Sequence, residues 1–174
     1  LDLLGNEGGA GGGPSVTAFG GSVPTIGDPE TVTVDEELAV SEGNIGGPGD
    51  SDGPATATGS LAVDFGADGP GDLRFLNVPA GAGVTAGGQP VLYSLSADGR
   101  VLTAHTGDPN DPVFTITLTI NPDATASYTI AVFRPLDHTL TDDPQTAAIE
   151  TAFEDDIRLS FDFIVADNSG DQAT

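Results

Sequence analysis

Apolar residues recur at every second position in several short runs, and turn residues separate the runs. In Val113–Ile120 (VFTITLTI), Phe114, Ile116, Leu118 and Ile120 share one face, and Thr115, Thr117 and Thr119 share the other. Period two predicts a strand with one buried face. Asn121–Thr125 (NPDAT) then turns the chain, and Ala126–Phe133 (ASYTIAVF) returns with Tyr128, Ile130 and Val132 inward. Two alternating runs joined by a Pro/Asp turn predict an antiparallel hairpin. A second hairpin is expected where Val91–Ser96 meets Val101–Thr106 through Ala97–Arg100 (ADGR), because Asp-Gly accepts the positive φ of a tight turn. Thr58–Phe65 alternates through Leu61, Val63 and Phe65, and Ile157–Val165 alternates along its whole length. Thr31–Val34 adds a short β-branched run.

Gly, Pro, Asn and Asp mark the segments between these runs as loops, notably Glu42–Pro54 and the acidic Gly66–Asp72. The first 27 residues read as a Gly-rich linker with room for one extra strand at Ser15–Phe19; the domain proper is expected to span 28–174. One stretch breaks the β pattern. Asp143 can cap a helix with Pro144 at its first position, and Ala148, Ile149, Ala152 and Phe153 then share a face, so a short helix is expected near 143–153. Together these elements predict an all-β, Ig-like antiparallel β-sandwich of about eight strands.

Charge narrows the possible roles more than any other property. The chain of 174 residues carries 27 acids against four arginines (Arg74, Arg100, Arg134 and Arg158) and no lysine, a net charge of −23. Such a surface repels nucleic acid and anionic lipid, which excludes both as partners. Three explanations remain open: calcium sites, a solvated acidic surface, and partial disorder, the last opposed by the strand pattern. No Cys is present, so disulfides and thiolate metal sites are excluded. No run approaches the ~20 apolar residues of a membrane-spanning helix. The opening LDLLGNEGG lacks the basic and apolar regions of a secretory signal peptide.

Five stretches carry a resemblance in their order along the chain: TVTVDEE, GSLAVDFGADG, VLYSLSADGRVLTAHTG, FTITLTINPDATASYTIAVFRPLDH and LSFDFIVADNSGDQAT. Together they resemble the tandem repeat (extender) domains of giant bacterial RTX adhesins exported by type I secretion. The marks are GADG after a strand, PLDH after the long hairpin, and a closing D-x-x-G-D (Asp167, Gly170, Asp171). The resemblance implies a non-catalytic, calcium-stabilised module on the cell surface. It would be a monomeric unit whose partners are neighbouring repeats of the same chain.

Calcium takes six to eight oxygens from carboxylates, carbonyls and water. Three places offer closely spaced side-chain oxygens: Asp50 with Asp52; Asp64 with Asp68 and Asp72; and Asp167 with Asn168 and Asp171. Asp35 and Glu36, at the end of a predicted strand, suit an end or interdomain site, and Asp137 stands beside His138. Any one of these acids is also an ordinary turn residue. None of the segments matches an EF-hand or the G-G-x-G-x-D nonapeptide, so ligands are expected to converge from separate loops. Catalysis finds little support, with two histidines and no G-x-S-x-G elbow. The alternative is a module that grips a carbohydrate or peptide through calcium. The chain has no Trp and two Tyr, one of them predicted inward, to serve as a platform.

Overall fold

A computed structural model describes residues 21–35, 54–78, 84–137 and 159–174. The expected linker before residue 21, the strand at Ser15–Phe19, most of the loop at Glu42–Pro54 and the helix near 143–153 lie outside them. The described chain is an antiparallel β-sandwich with no helix among these residues.

One layer has five strands. In chain order they are β2 (Thr56–Ser60), β7 (Leu92–Leu95), β8 (Val101–His105), β9 (Pro112–Ile120) and β10 (Ala126–Val132), arranged β2-β10-β9-β8-β7. The predicted hairpin is its centre: Phe114 faces Val132, Ile116 faces Ile130 and Leu118 faces Tyr128 across β9 and β10. The other layer has β4 (Pro70–Phe75), β11 (Phe163–Asp167) and β12 (Gln172–Ala173), in the order β12-β11-β4. Leu73 pairs with Val165, and both are fully buried. They meet Leu102, Ala104, Phe114, Ile116 and Leu118 of the first layer in one apolar core. Tyr93 bridges the interior, its ring edge-on to Phe114 at 6.1 Å and to Phe161 at 6.4 Å.

The outward face of the large sheet is a lattice of small hydroxyls. Thr117 pairs with Thr129, and Thr129 with Thr58, whose hydroxyls are 2.8 Å apart. The alternation that buries Ile116 and Leu118 leaves these threonines outside, as a period of two requires.

Five local features differ from the pattern-based expectation. The run expected as a strand over Ile157–Val165 is one only from Phe163, and described residues 159–162 stand ahead of it outside any strand. Thr58–Phe65 is not one strand. The chain leaves the large sheet after Leu61 through Ala62 at φ +51°, and β3 (Val63–Asp64) pairs instead with β1 (Thr25–Ile26). Pairing therefore begins ahead of Asp28. Thr31–Val34 forms no ladder, although Glu30 N donates to Ser60 O and Asp35 N to Pro54 O on either side of it. The acidic loop ends early, because Pro70–Phe75 is a strand whose Leu73 and Phe75 alternate with Asp72 and Arg74. Finally, β5 (Thr85–Ala86) and β6 (Gln89–Pro90) form a small hairpin around Gly87 and Gly88, both at the positive φ that a type I′ turn needs.

One close approach ties the leading segment to the sheet. A Cβ at Gly59 would lie 2.7 Å from Tyr128 Cε1 and 2.9 Å from Val32 Cγ1. The tyrosine ring thus covers the glycine across the strand pair, and its hydroxyl donates to Glu30 O at 2.6 Å. Gly59→Val is expected to destabilise the domain by roughly 1–3 kcal/mol through overpacking. Denaturant unfolding measures this, and a change below ~0.5 kcal/mol would show that the ring moves aside freely.

Candidate metal centre

Two tight turns and the leading segment meet at one end of the small sheet. The first turn follows β3. Asp64 Oδ1 accepts from Gly66 N at 2.8 Å, and Gly69 N donates to Gly66 O at 3.3 Å. The second turn follows β11. Here Asp167 Oδ1 accepts from Ser169 N, Ser169 Oγ and Asp171 N at 2.9, 2.8 and 3.0 Å. Asn168 N donates to Gly69 O at 3.0 Å and joins the two turns. A bulge in the pairing of β11 with β4, between Ala166 and Asp167, places Asp167 O against Gly71, where a side chain would collide with it. Ser22 Oγ accepts from Ala67 N at 2.7 Å, which brings the leading segment to the same place.

Two carboxylate oxygens at this joint meet no donor. Asp68 Oδ2 and Asp167 Oδ2 are both buried and have no hydrogen-bond partner. A point 2.9 Å from Asp171 Oδ2 is also 3.1 Å from Asp68 Oδ2 and 3.1 Å from Ser169 Oγ; it is where a Cβ on Gly21 would stand. Ser169 Oγ is 3.4 Å from Asp171 Oδ2 and 2.8 Å from Asp167 Oδ1, so this hydroxyl links the Asp167 turn to the oxygens facing Gly21. An ionised carboxylate that loses water without gaining a partner is strongly disfavoured. Asp167 is only 3% exposed. Desolvation pushes its carboxyl up. The Ser169 hydroxyl and the amides of Asp171, Ser169 and Gly170 outweigh that and hold it below the usual aspartate range. The group is therefore an anion at neutral pH, with one oxygen satisfied and the other not.

These residues suit a hard divalent cation. Among the described residues no three His, Cys, Asp or Glu side chains form a ready-made metal cage. Calcium does not require one, since it completes its shell with hydroxyl, carbonyl and water oxygens. Asp68, Asp167 and Asp171 would supply charge, with Ser169 Oγ beside them.

The remaining predicted ligands sit elsewhere. Asp72 is on β4, ion-paired to Arg74 at 2.9 Å and Arg100 at 3.4 Å, so its expected grouping with Asp68 is replaced by two guanidiniums. Asp64 closes its own turn. Asn168 contributes its backbone amide and exposes its side chain. Asp137 accepts from Gly87 N at 2.9 Å through Oδ1 and from Gly88 N at 2.7 Å through Oδ2, clamping the β5–β6 turn. Asp35 lies at the opposite end of the leading segment, beside Pro54. Glu36, Asp50, Asp52 and His138 fall outside the described residues. His105 is buried, and its Nδ1 accepts from Gly107 N.

Sequence reasoning divided the acids by proximity along the chain, whereas the fold draws Asp68 from one set and Asp167 with Asp171 from another. Ser169, Gly21 and Ser22 are not among the ligands expected from the sequence. The only sequence signal for them is that small residues flank acids, which is common to most turns.

A family model described as a domain of unknown function (DUF5801) matches residues 31–174. No curated protein and no solved structure matches the chain.

Proposed function

Because the chain belongs to the DUF5801 family, whose description assigns no role, we propose a function from its own chemistry: a non-catalytic, calcium-stabilised extender module of a bacterial surface adhesin. The observation that carries this reading is the pair of buried, unpartnered carboxylate oxygens on Asp68 and Asp167, beside Asp171. Calcium between two turns would neutralise like charges that the fold brings together and would stiffen this end of the sandwich. That suits a structural unit working outside the cell among neighbouring repeats. The sequence resemblance to RTX adhesin repeats supports the same role, as does a chain of net charge −23. Among the described residues three arginines pair with Asp72 and Asp111.

The alternative, calcium-dependent recognition of a carbohydrate or peptide, gains less. Both tyrosines are committed to packing, Tyr93 against Phe114 and Phe161 and Tyr128 over Gly59. Calorimetric titration of calcium onto the metal-stripped chain tests the proposal. Binding is expected with a dissociation constant of roughly 10⁻⁴ to 10⁻³ M, the range of extracellular modules. Asp68→Asn and Asp171→Asn should each weaken it at least severalfold. Absence of binding in the millimolar range would overturn the calcium reading.

A further inference from the structure

The leading segment, residues 21–35, lies as a strap along the chain from Ala67 back to Pro54. Its first residues, 21–27, are held by few contacts: β1 pairs with β3 over two residues, and Gly27 N donates to Ala62 O at 3.0 Å. From Glu30 on it is held more firmly, by hydrogen bonds from Glu30 N to Ser60 O at 2.9 Å, from Ser60 N to Glu30 Oε2 at 3.1 Å and from the Tyr128 hydroxyl to Glu30 O at 2.6 Å. Ile26 and Val34 are only partly buried against the core, and Val23 is 57% exposed. The strap's first residues end on the acidic cluster. Ser22 Oγ accepts from Ala67 N, and a Cβ on Gly21 would stand 2.9 Å from Asp171 Oδ2 and 3.1 Å from both Asp68 Oδ2 and Ser169 Oγ, so a larger residue there would intrude on those oxygens. The strap itself carries Asp28, Glu30 and Asp35 and no basic residue, so it brings further negative charge toward the domain.

We infer that the cation is a clasp for this strap. Bound at Asp68, Asp167 and Asp171, it draws the 66–69 and 167–171 turns together into the surface on which Gly21 and Ser22 dock. Without it, residues 21–27 open while the five-stranded sheet stays folded. The inference rests on the calcium reading above and adds to it that the site controls a separate element, most of which precedes the family match. Local opening is cheapest where few apolar contacts are buried, and the start of the strap meets that condition while β9 and β10 do not. Coupling must be reciprocal: whatever factor calcium adds to strap docking, a docked strap adds to calcium affinity.

Hydrogen exchange on the full chain, with saturating calcium and with chelator, tests the clasp. The amides of Gly27 and Ala67, bonded across the strap, are expected to exchange about 10- to 100-fold more slowly with calcium, the factor for a ligand at ~10 to 100 times its dissociation constant. Amides of the β9–β10 ladder should show no comparable change under conditions where they open locally. If calorimetry detects calcium but Gly27 and Ala67 exchange at the same rate with and without it, the clasp is overturned and the calcium site stands. If calorimetry detects no calcium, both fall together. A second variant avoids the ligands altogether. Ser22→Ala removes the acceptor for Ala67 N, and by reciprocity calcium affinity should fall severalfold with the melting temperature in chelator unchanged. Unaltered affinity in this variant would refute coupling between strap and ion.

Discussion

Saturating calcium is expected to raise the melting temperature of this domain by roughly 3–10 °C over its value in chelator. A site with a dissociation constant in the extracellular range, filled at ~10- to 100-fold excess, adds about 1.4 to 2.7 kcal/mol. For a domain of this size each kcal/mol moves the midpoint by roughly 2–4 °C. Asp167→Asn should abolish most of the rise. The amide oxygen still accepts from Ser169 and Asp171 and so preserves the turn, but the charge facing the ion is gone. Acid should have a similar effect. The Asp167 carboxyl is lowered in the folded state, so its stabilising contribution is present above the ordinary aspartate range and is lost as pH falls through the folded value. The calcium increment should vanish over that same range, since protonation removes the ligand charge. A thermal melt followed by circular dichroism measures all three effects. An undiminished calcium shift in Asp167→Asn would place the ion somewhere other than this joint.

Phe114→Ala is expected to cost about 3–5 kcal/mol, the usual loss for a buried phenylalanine. Phe114 is 0% exposed and sits at the centre of the large sheet, opposite Val132 on one side and Ala104 on the other. Its ring meets the edge of Tyr93, which in turn meets Phe161 near the small sheet, so removal unseats an aromatic bridge as well as leaving a cavity. Against a typical total of ~5–15 kcal/mol, that is a large share of the stability. Thr117→Ala, three residues along the same strand on the outward face, should change stability by less than ~0.5 kcal/mol. Denaturant unfolding in excess calcium separates the two. Equal effects at the two positions would mean that β9 does not bury the face assigned to it.

The strands legible in the sequence are those whose turns and faces agree. β9 and β10 alternate without interruption on either side of NPDAT, and β7 and β8 flank Asp98-Gly99, so local pattern and global pairing coincide. β4 is hidden because Pro70 and Gly71, following Gly69, look like a continued loop. Pro70 and Gly71 open a strand whose alternation becomes visible only at Leu73 and Phe75, after the bulge opposite Asp167 has been absorbed. The break at Ala62 was hidden for the opposite reason. Leu61, Val63 and Phe65 keep their period through it, and only the positive φ of Ala62 sends β3 to a different partner.

For the site, the sequence limits which chemistry is open. Acids far outnumber bases, they cluster on turns, and no thiol or histidine pair stands beside them, so a metal bound here would be a hard cation held through oxygen. Which acids lie near one another is set by the tertiary fold. Asp68 and Asp72 are four residues apart, yet Asp72 lies on β4 beside Arg74 and Arg100 while Asp68 stays on the preceding turn. Asp68 and Asp167 are far apart in the chain, yet the pairing of β4 with β11 and the Asn168–Gly69 hydrogen bond bring their turns together. Period and turn signals depend on near neighbours along the chain. A ligand set depends on strand register and bulges, which are set by how two apolar faces close over one core.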